Sequence, residues 1–411
     1  MRVRSWVWTA LAISATALLG WVGWKWLSPP PTIEPVLRLI EARRLEEAEA
    51  QLRKLLDIDP GNARCHLLVA SIELDRSNRL GHLDTSLLRD ALSHVRRVSA
   101  TDKRLFAEAR LVEGKVCERL DWFDEAEAAL SASFALDPTS EAGWRLLGLY
   151  DEQDRRPEGR ALAKRLYHLL PRPDSKRAAL VELVREEVHQ PAAAGIIARF
   201  SPVTQANPGD FRSRLALGRA LAREGRPDEG LPLLRSVVEK RPDDRAAREA
   251  LLTALEDAGQ VDALQPALEE ARARGVADNV LARFEGWLAQ ERNDWKSAIV
   301  AYQRAEESDG YDVKLEYRLS RALRLAGNEE EATRVERRIR SYQTARKALR
   351  QLFETREAEL RDHRSHPELF QQIADLRERM GYRDEARGWH VLVLREDPGN
   401  PVSQAAVERL K

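Results

Sequence analysis

Residues 211–242 read FRSRLALGRALAREGRPDEGLPLLRSVVEKRP, and this stretch decides the fold. Leu215, Ala216, Leu217, Gly218 and Leu221 recur at helical spacing and give one amphipathic helix. Glu224-Gly225-Arg226-Pro227-Asp228 breaks it, and Gly230 to Val238 forms a second helix. Pro242 stops that helix, because proline lacks an N–H and clashes with the preceding turn. The acidic residue that follows is a cap for the next helix. Gly218 and Gly230 are small where the two helices cross closely. One such pair cannot cover its own apolar faces, so neighbours must stack on it.

The same unit recurs on either side. Gly218, Leu252, Gly286 and Ser320 are spaced 34 residues apart, and twelve residues after each come Gly230, Leu264, Ala298 and Ala332. The twelve-residue offset returns at Gly114 to Ala126 and at Ala374 to Ala386. A second twelve-residue offset runs from a small residue to a helix-ending proline: Ala48 to Pro60, Ala126 to Pro138, Gly159 to Pro171, Gly230 to Pro242 and Ala386 to Pro398.

Trp144, Leu147, Gly148, Tyr150, Gly159 and Pro171 form a unit that resembles the tetratricopeptide repeat family. The units from Phe211 to Pro242 and from Asn279 to Gly310 follow it, the latter with Gly286, Ala298, Tyr302 and Ala305. The resemblance covers nearly everything from Ile33 to Pro398. It implies an all-α, right-handed superhelical solenoid of helix-turn-helix repeats, with a concave face lined by the first helix of each pair. Four places depart from the pattern. The first unit has a short opening helix, Ser77 to Asp84 is an insertion, and Asp174 to Pro208 is degenerate. Ala332 to Ala386 spans 54 residues, one period plus 20. There Val335, Ile339, Tyr342, Ala345, Leu349, Leu352 and Phe353 extend a helix over Glu329–Leu360, roughly 45–50 Å long. Its many arginines read as a solvated outer face. The alternative for this helix around Val335–Leu360 is a homodimer or partner interface. Val402 to Leu410 reads as a capping helix.

The first thirty residues are different material. Five of the ten tryptophans stand at Trp6, Trp8, Trp21, Trp24 and Trp26, and no charge occurs from Ser5 to Trp24. A helix over this stretch would be roughly 30 Å long, the thickness of a bilayer's hydrocarbon layer. Tryptophans at both ends suit the headgroup level, and Lys25 can snorkel. The expectation is one transmembrane anchor, Trp6–Leu27, followed by a stiff Pro29-Pro30-Pro31 spacer. Arg2 and Arg4 favour a cytoplasmic N-terminus, which places the repeats in the periplasm of a bacterial inner membrane. Cleavage after Ala15-Thr16-Ala17 is the competing reading, though it would leave Leu18–Leu27 as an apolar terminus. Trp21 stands where a lipobox needs cysteine. The expected organisation is therefore 1–31 anchor and spacer, 32–210 partly degenerate repeats, 211–340 regular repeats, and 341–411 extended helix, last repeat and cap.

Composition narrows function. Lys+Arg and Asp+Glu both number 67, giving zero net charge, which argues against a nucleic-acid binder. Two cysteines, Cys65 and Cys117, build neither a disulfide framework nor a four-cysteine zinc site, and each falls among apolar residues. No phosphate-binding glycine loop, HExxH, GxSxG or CxxC occurs. His363 and His366 flank no ligand set, and Asp151-Glu152-Gln153-Asp154 has the wrong spacing for calcium. No catalytic residue, cofactor or metal is expected, and no enzyme.

Arg219, Arg283, Trp287, Tyr317, Arg321 and Arg324 flank the small crossing residues on first helices, so they are the candidate partner groove. Glu368, Asp375 and Glu378 make the equivalent region acidic at the last repeat. A basic, aromatic groove suits an extended peptide with acidic residues. The expected function is a membrane-tethered scaffold that binds protein or peptide partners. The alternatives are an assembly factor in envelope biogenesis (cytochrome maturation, polysaccharide secretion or lipopolysaccharide control) and a glycosyltransferase-associated subunit.

Overall fold

The computed structural model describes residues 32–80, 82–139, 141–306, 311–362 and 366–411. The anchor span Trp6–Leu27, the site Ala15-Thr16-Ala17, the Pro29–Pro31 spacer and His363 lie outside them. Among the described residues every regular element is an α-helix, and no helix is long and apolar enough to cross a membrane.

The chain divides into two compact units, Met1–Val116 and Cys117–Lys411. The first holds α1 (Glu34–Glu41), α2 (Leu45–Ile58), α3 (Ala63–Arg79), α4 (Thr85–Val95) and most of α5 (Lys103–Arg119). The short α1 and the lengthened α3 are the two irregularities anticipated there. Val36, Ala48, Leu52, Cys65, Val69 and Ile72 form this unit's core.

The second unit runs α6 (Phe123–Leu136), α7 (Ala142–Glu152), α8 (Arg156–Leu169), α9 (Pro173–Val188), α10 (Ala193–Ala206) and α11 (Phe211–Arg223). It continues with α12 (Pro227–Lys240), α13 (Arg245–Asp257), α14 (Val261–Ala273), α15 (Asp278–Glu291), α16 (Trp295–Ala305) and α17 (Val313–Leu325). It ends with α18 (Glu329–Arg361), α19 (Pro367–Arg379), α20 (Arg383–Glu396) and α21 (Pro401–Arg409). Consecutive helices pack as antiparallel pairs, as in α11–α12, α15–α16 and α19–α20.

The repeat is written in the backbone. Between the two helices of a pair stands one residue with left-handed φ: Gly225, Gly259, Asn293 and Gly327, again 34 apart. The next residue's N–H then reaches back to the last helical turn, as in Arg226 to Leu221 at 2.9 Å and Asn328 to Leu323 at 2.8 Å. Between pairs, the residue two after a proline caps the next helix. Asn62, Asp210, Asp244 and Asn400 each accept a backbone N–H from the first turn, at 2.8–3.1 Å. Each such cap stabilises its helix by about 1 kcal/mol.

Close crossing explains the small residues. A Cβ on Gly230 would stand 2.6 Å from the Gly218 carbonyl oxygen and 3.0 Å from the Ala222 nitrogen, both backbone atoms that cannot swing aside. Gly230→Ala should therefore destabilise the unit by about 1–3 kcal/mol, although alanine is the better helix former. Thermal melting checks this; an unchanged or raised midpoint would show that α11 and α12 are not held so near.

Two features depart from regular stacking. First, α9 pairs with α8 and α10 with α11, but α9 and α10 do not pair with each other. Instead α10 sits beside α6, with Phe200 against Phe123 at 5.1 Å. Free of its neighbour, α9 packs on α18 and α20, some 160 to 200 positions further along the chain. That is the degenerate stretch of the sequence: its residues serve a distant contact. Second, α18 runs unbroken past the expected boundary at 340/341 and kinks at Arg356, where the backbone leaves helical geometry and a second short helix follows. All of its apolar stripe but Leu352, which is half-buried, is used inside the chain. Val335, Ile339, Tyr342, Ala345, Leu349, Phe353 and Leu360 are all buried. Val335 and Ile339 join a core with α15, α16 and α17, while Tyr342 meets Tyr311 and α9. A homodimer through that stripe has no apolar face left to use.

Candidate functional site

The contact between α9 and the α18–α20 region is built on buried charge. Glu187 ends α9 with 7% of its side chain exposed. Its carboxylate accepts from the Tyr342 hydroxyl at 2.6 Å and the Tyr382 hydroxyl at 2.9 Å. Arg346 Nε lies 3.2 Å from the same carboxylate, and Arg377, with no exposed side-chain area, lies 3.6 Å away. Arg377 also pairs with Glu385, which in turn holds Arg160 of α8. Arg160 and Arg377 stack on the Tyr382 ring at 4.2 and 4.0 Å. Burial alone would raise the Glu187 carboxyl, but Arg377 and the two tyrosine hydroxyls outweigh it and hold it below the usual range.

This contact borders a cavity of about 770 Å³ within the second unit, about half open to solvent, between α8, α9, α13, α15, α17 and α18. The volume falls in the range of ligand pockets. Seven basic side chains line it against four acidic ones. On the α15 and α17 side, Arg283 donates to the Thr253 hydroxyl at 2.6 Å and faces Asp312 at 3.7 Å, while its buried Nε has no partner. Lys314 is taken by Glu256 and Asp257. On the α18 side, Lys347 and Arg350 are exposed and carry no ion pair among the described residues. Arg156 donates to the Glu186 carbonyl. A concave wall of mainly one charge focuses this positive field on whatever enters.

Glu186 stands in the same wall. Burial, opposed by Arg160 and Arg156, pushes its carboxyl up to about 7. The folded chain therefore holds a proton there that the unfolded chain releases near the ordinary carboxylate range. Between those values the native state binds more protons, so this group's contribution to stability falls as pH rises toward 7. Glu186→Gln, which stays neutral, should melt progressively higher than the wild type as pH is raised from 5 to 8. A difference that does not change with pH would contradict this.

Of the six groove candidates, the structure brings only Arg283 into the cavity wall, and Tyr317 to its rim through a hydrogen bond from Gln343 at 3.0 Å. Trp287 is corrected: it is 7% exposed and packs in the core with Leu251, Leu255, Leu268 and Phe284. It therefore offers no ring to a partner. Arg324 is engaged by Glu336 and Glu329. Arg219 lies among Asp154, Glu158 and Glu249, and Arg321 points to solvent away from the cavity lining. The residues missed are Arg346, Lys347 and Arg350. Their run of charge on α18 was visible, but the sequence held no sign that α9 would return to enclose it.

The remaining expectations are local. Cys65 and Cys117 are buried thiols. Asp151 pairs with Arg185 and Asp154 with Arg223, so that acidic run is part of the ion-pair network. Glu378 pairs with Arg409 of α21, which joins the end helix to the last pair.

Residues 187–255 match the family model described as Tetratricopeptide repeat, which is the segment from the end of α9 to α13. A stretch of 123 residues is 29% identical to "Cellulose synthase operon protein C" of Pseudomonas fluorescens (strain SBW25), covering 28% of this chain and 10% of that protein. The chain thus spans about a tenth of the curated relative it matches. Among solved structures, the APC/C hetero-tetramer Cut9-Hcn1 is similar over 91% of this chain and 74% of that one, at 13% identity and a TM-score of 0.37. The P58(IPK) TPR domain is similar over 92% and 95%, at 15% identity and a TM-score of 0.26. Residues 187–255 are thus tetratricopeptide repeats, set among hairpins that recur every 34 residues.

Proposed function

We propose that this chain is a non-catalytic adaptor that binds an acidic segment of a partner polypeptide in the cavity between α8, α9, α13, α15, α17 and α18. The supporting observation is the surplus of cations lining one concave wall, with Lys347 and Arg350 left unpaired. Arginine forks match carboxylates in two-point geometry, and a preformed cavity spares the ordering cost of binding. Stacked repeats offer surface for a partner.

The same reading tethers the chain by Trp6–Leu27 to a bacterial inner membrane, with the repeats on the periplasmic side. The uncharged, tryptophan-flanked span and Arg2 and Arg4 before it support this. A role in envelope biogenesis, polysaccharide secretion among its forms, is the second reading. The similarity to a cellulose synthase operon protein favours it.

A fluorescein-labelled glutamate-rich peptide titrated onto the full-length chain tests the binding proposal. Saturable binding that weakens steeply with salt is the expected result. Equal binding of an arginine-rich peptide, or no salt dependence, would overturn it. Fusion of a periplasm-dependent reporter to the C-terminus tests the topology, and activity only of a cytoplasmic reporter would reverse it.

A further inference from the structure

A separate cluster lies in the first unit, away from the cavity. Asp90 and His94 are four residues apart on α4, so both side chains stand on one face. Glu73 of α3 meets them there, and one ligand atom from each of the three lies within 4.8 Å of the other two. Glu73 is completely buried, yet its Oε2 has no hydrogen-bond partner. Arg53 of α2 donates to Glu73 Oε1 at 2.9 Å and to Asp90 Oδ2 at 3.0 Å, which leaves the second oxygen of each carboxylate.

The histidine tautomers follow from their partners. His66 Nε2 is 3.0 Å from the Pro60 carbonyl oxygen, which only accepts, so that nitrogen carries the hydrogen. With His66 Nδ1 as the acceptor, His94 Nδ1, 2.8 Å away, donates to it. His94 is left with a lone pair on Nε2. An imidazole whose far nitrogen donates to a fixed acceptor is the arrangement of metal-bound histidines.

We infer that Glu73, Asp90 and His94 bind one divalent transition-metal ion, for which zinc is the best match. Two carboxylate oxygens and one imidazole nitrogen suit zinc, with water in the fourth position. A harder cation such as magnesium or calcium would want oxygens throughout. Asp90, 45% exposed, opens the site to solvent, and Arg53 offsets one of the two carboxylate charges.

Full-length protein stripped with chelator and titrated with zinc chloride, by calorimetry and by melting, tests the inference. One ion per chain and a raised melting temperature are expected. Asp90→Asn and Glu73→Gln should each weaken binding about tenfold or more, and the rise in melting temperature on adding zinc should shrink with them. Wild-type protein that binds no zinc at one-to-one ratio, or affinity unchanged in both variants, would overturn the site; the latter would assign the zinc to surface histidines.

Discussion

Glu187→Ala should cost the second unit about 3–5 kcal/mol, the largest effect of any single substitution considered. The reason is the company Glu187 keeps. It is buried, it accepts from Tyr342 and Tyr382, and it is one of two carboxylates that face fully buried Arg377. Removing one partner from a buried ionic network leaves the rest uncompensated, which is far more costly than deleting a surface pair. The loss should also be local in space but not in sequence. Amides of α9, α18 and α20 should exchange with solvent faster together, while α11–α14 keep their protection. Glu187→Gln should fall between, since it keeps an acceptor and loses the charge. A loss below about 1 kcal/mol, within the usual range of surface changes, would mean that α9 does not close on α18 and α20 as described.

Lys347→Glu combined with Arg350→Glu should weaken binding of an acidic peptide about 100-fold, a factor of ten for each reversed charge. Both side chains are exposed and unpaired, so the fold has no stake in them and the melting temperature should hold within about 0.5 kcal/mol of stability. The same two reversals on the far side of α18, at Arg334 and Arg337, should leave affinity nearly unchanged. If both double variants bind equally, the peptide's site is elsewhere.

The hairpins were legible because their physics is local. The proline that ends a helix, the Asn or Asp two residues later, and the small residues at each crossing act within one repeat. The structure repeats them at Asn62, Asp210, Asp244 and Asn400, and in the left-handed residues at Gly225, Gly259, Asn293 and Gly327. The long α18 was legible for the same reason, from an unbroken three-and-four stripe. The cavity was not. It depends on Glu187 meeting Tyr342, Arg346, Arg377 and Tyr382, contacts 155 to 195 positions apart that no periodicity encodes. Trp287 shows the opposite failure: a place beside a crossing glycine put it near the expected groove, whereas the neighbouring pair of helices buries its ring. The proposed metal ligands were not read from the sequence: Asp90 and His94 share one turn of helix, but Glu73 joins them only through the packing of α3 on α4.

The most direct test is a photo-crosslink made in living cells from position 343, inside the cavity wall, with a second probe at position 334 on the outer face of α18. The account predicts one discrete polypeptide adduct from 343, lost when Lys347 and Arg350 carry glutamate, and no matching adduct from 334. The same adduct from both positions, or an adduct from 343 that survives the charge reversal, would contradict it.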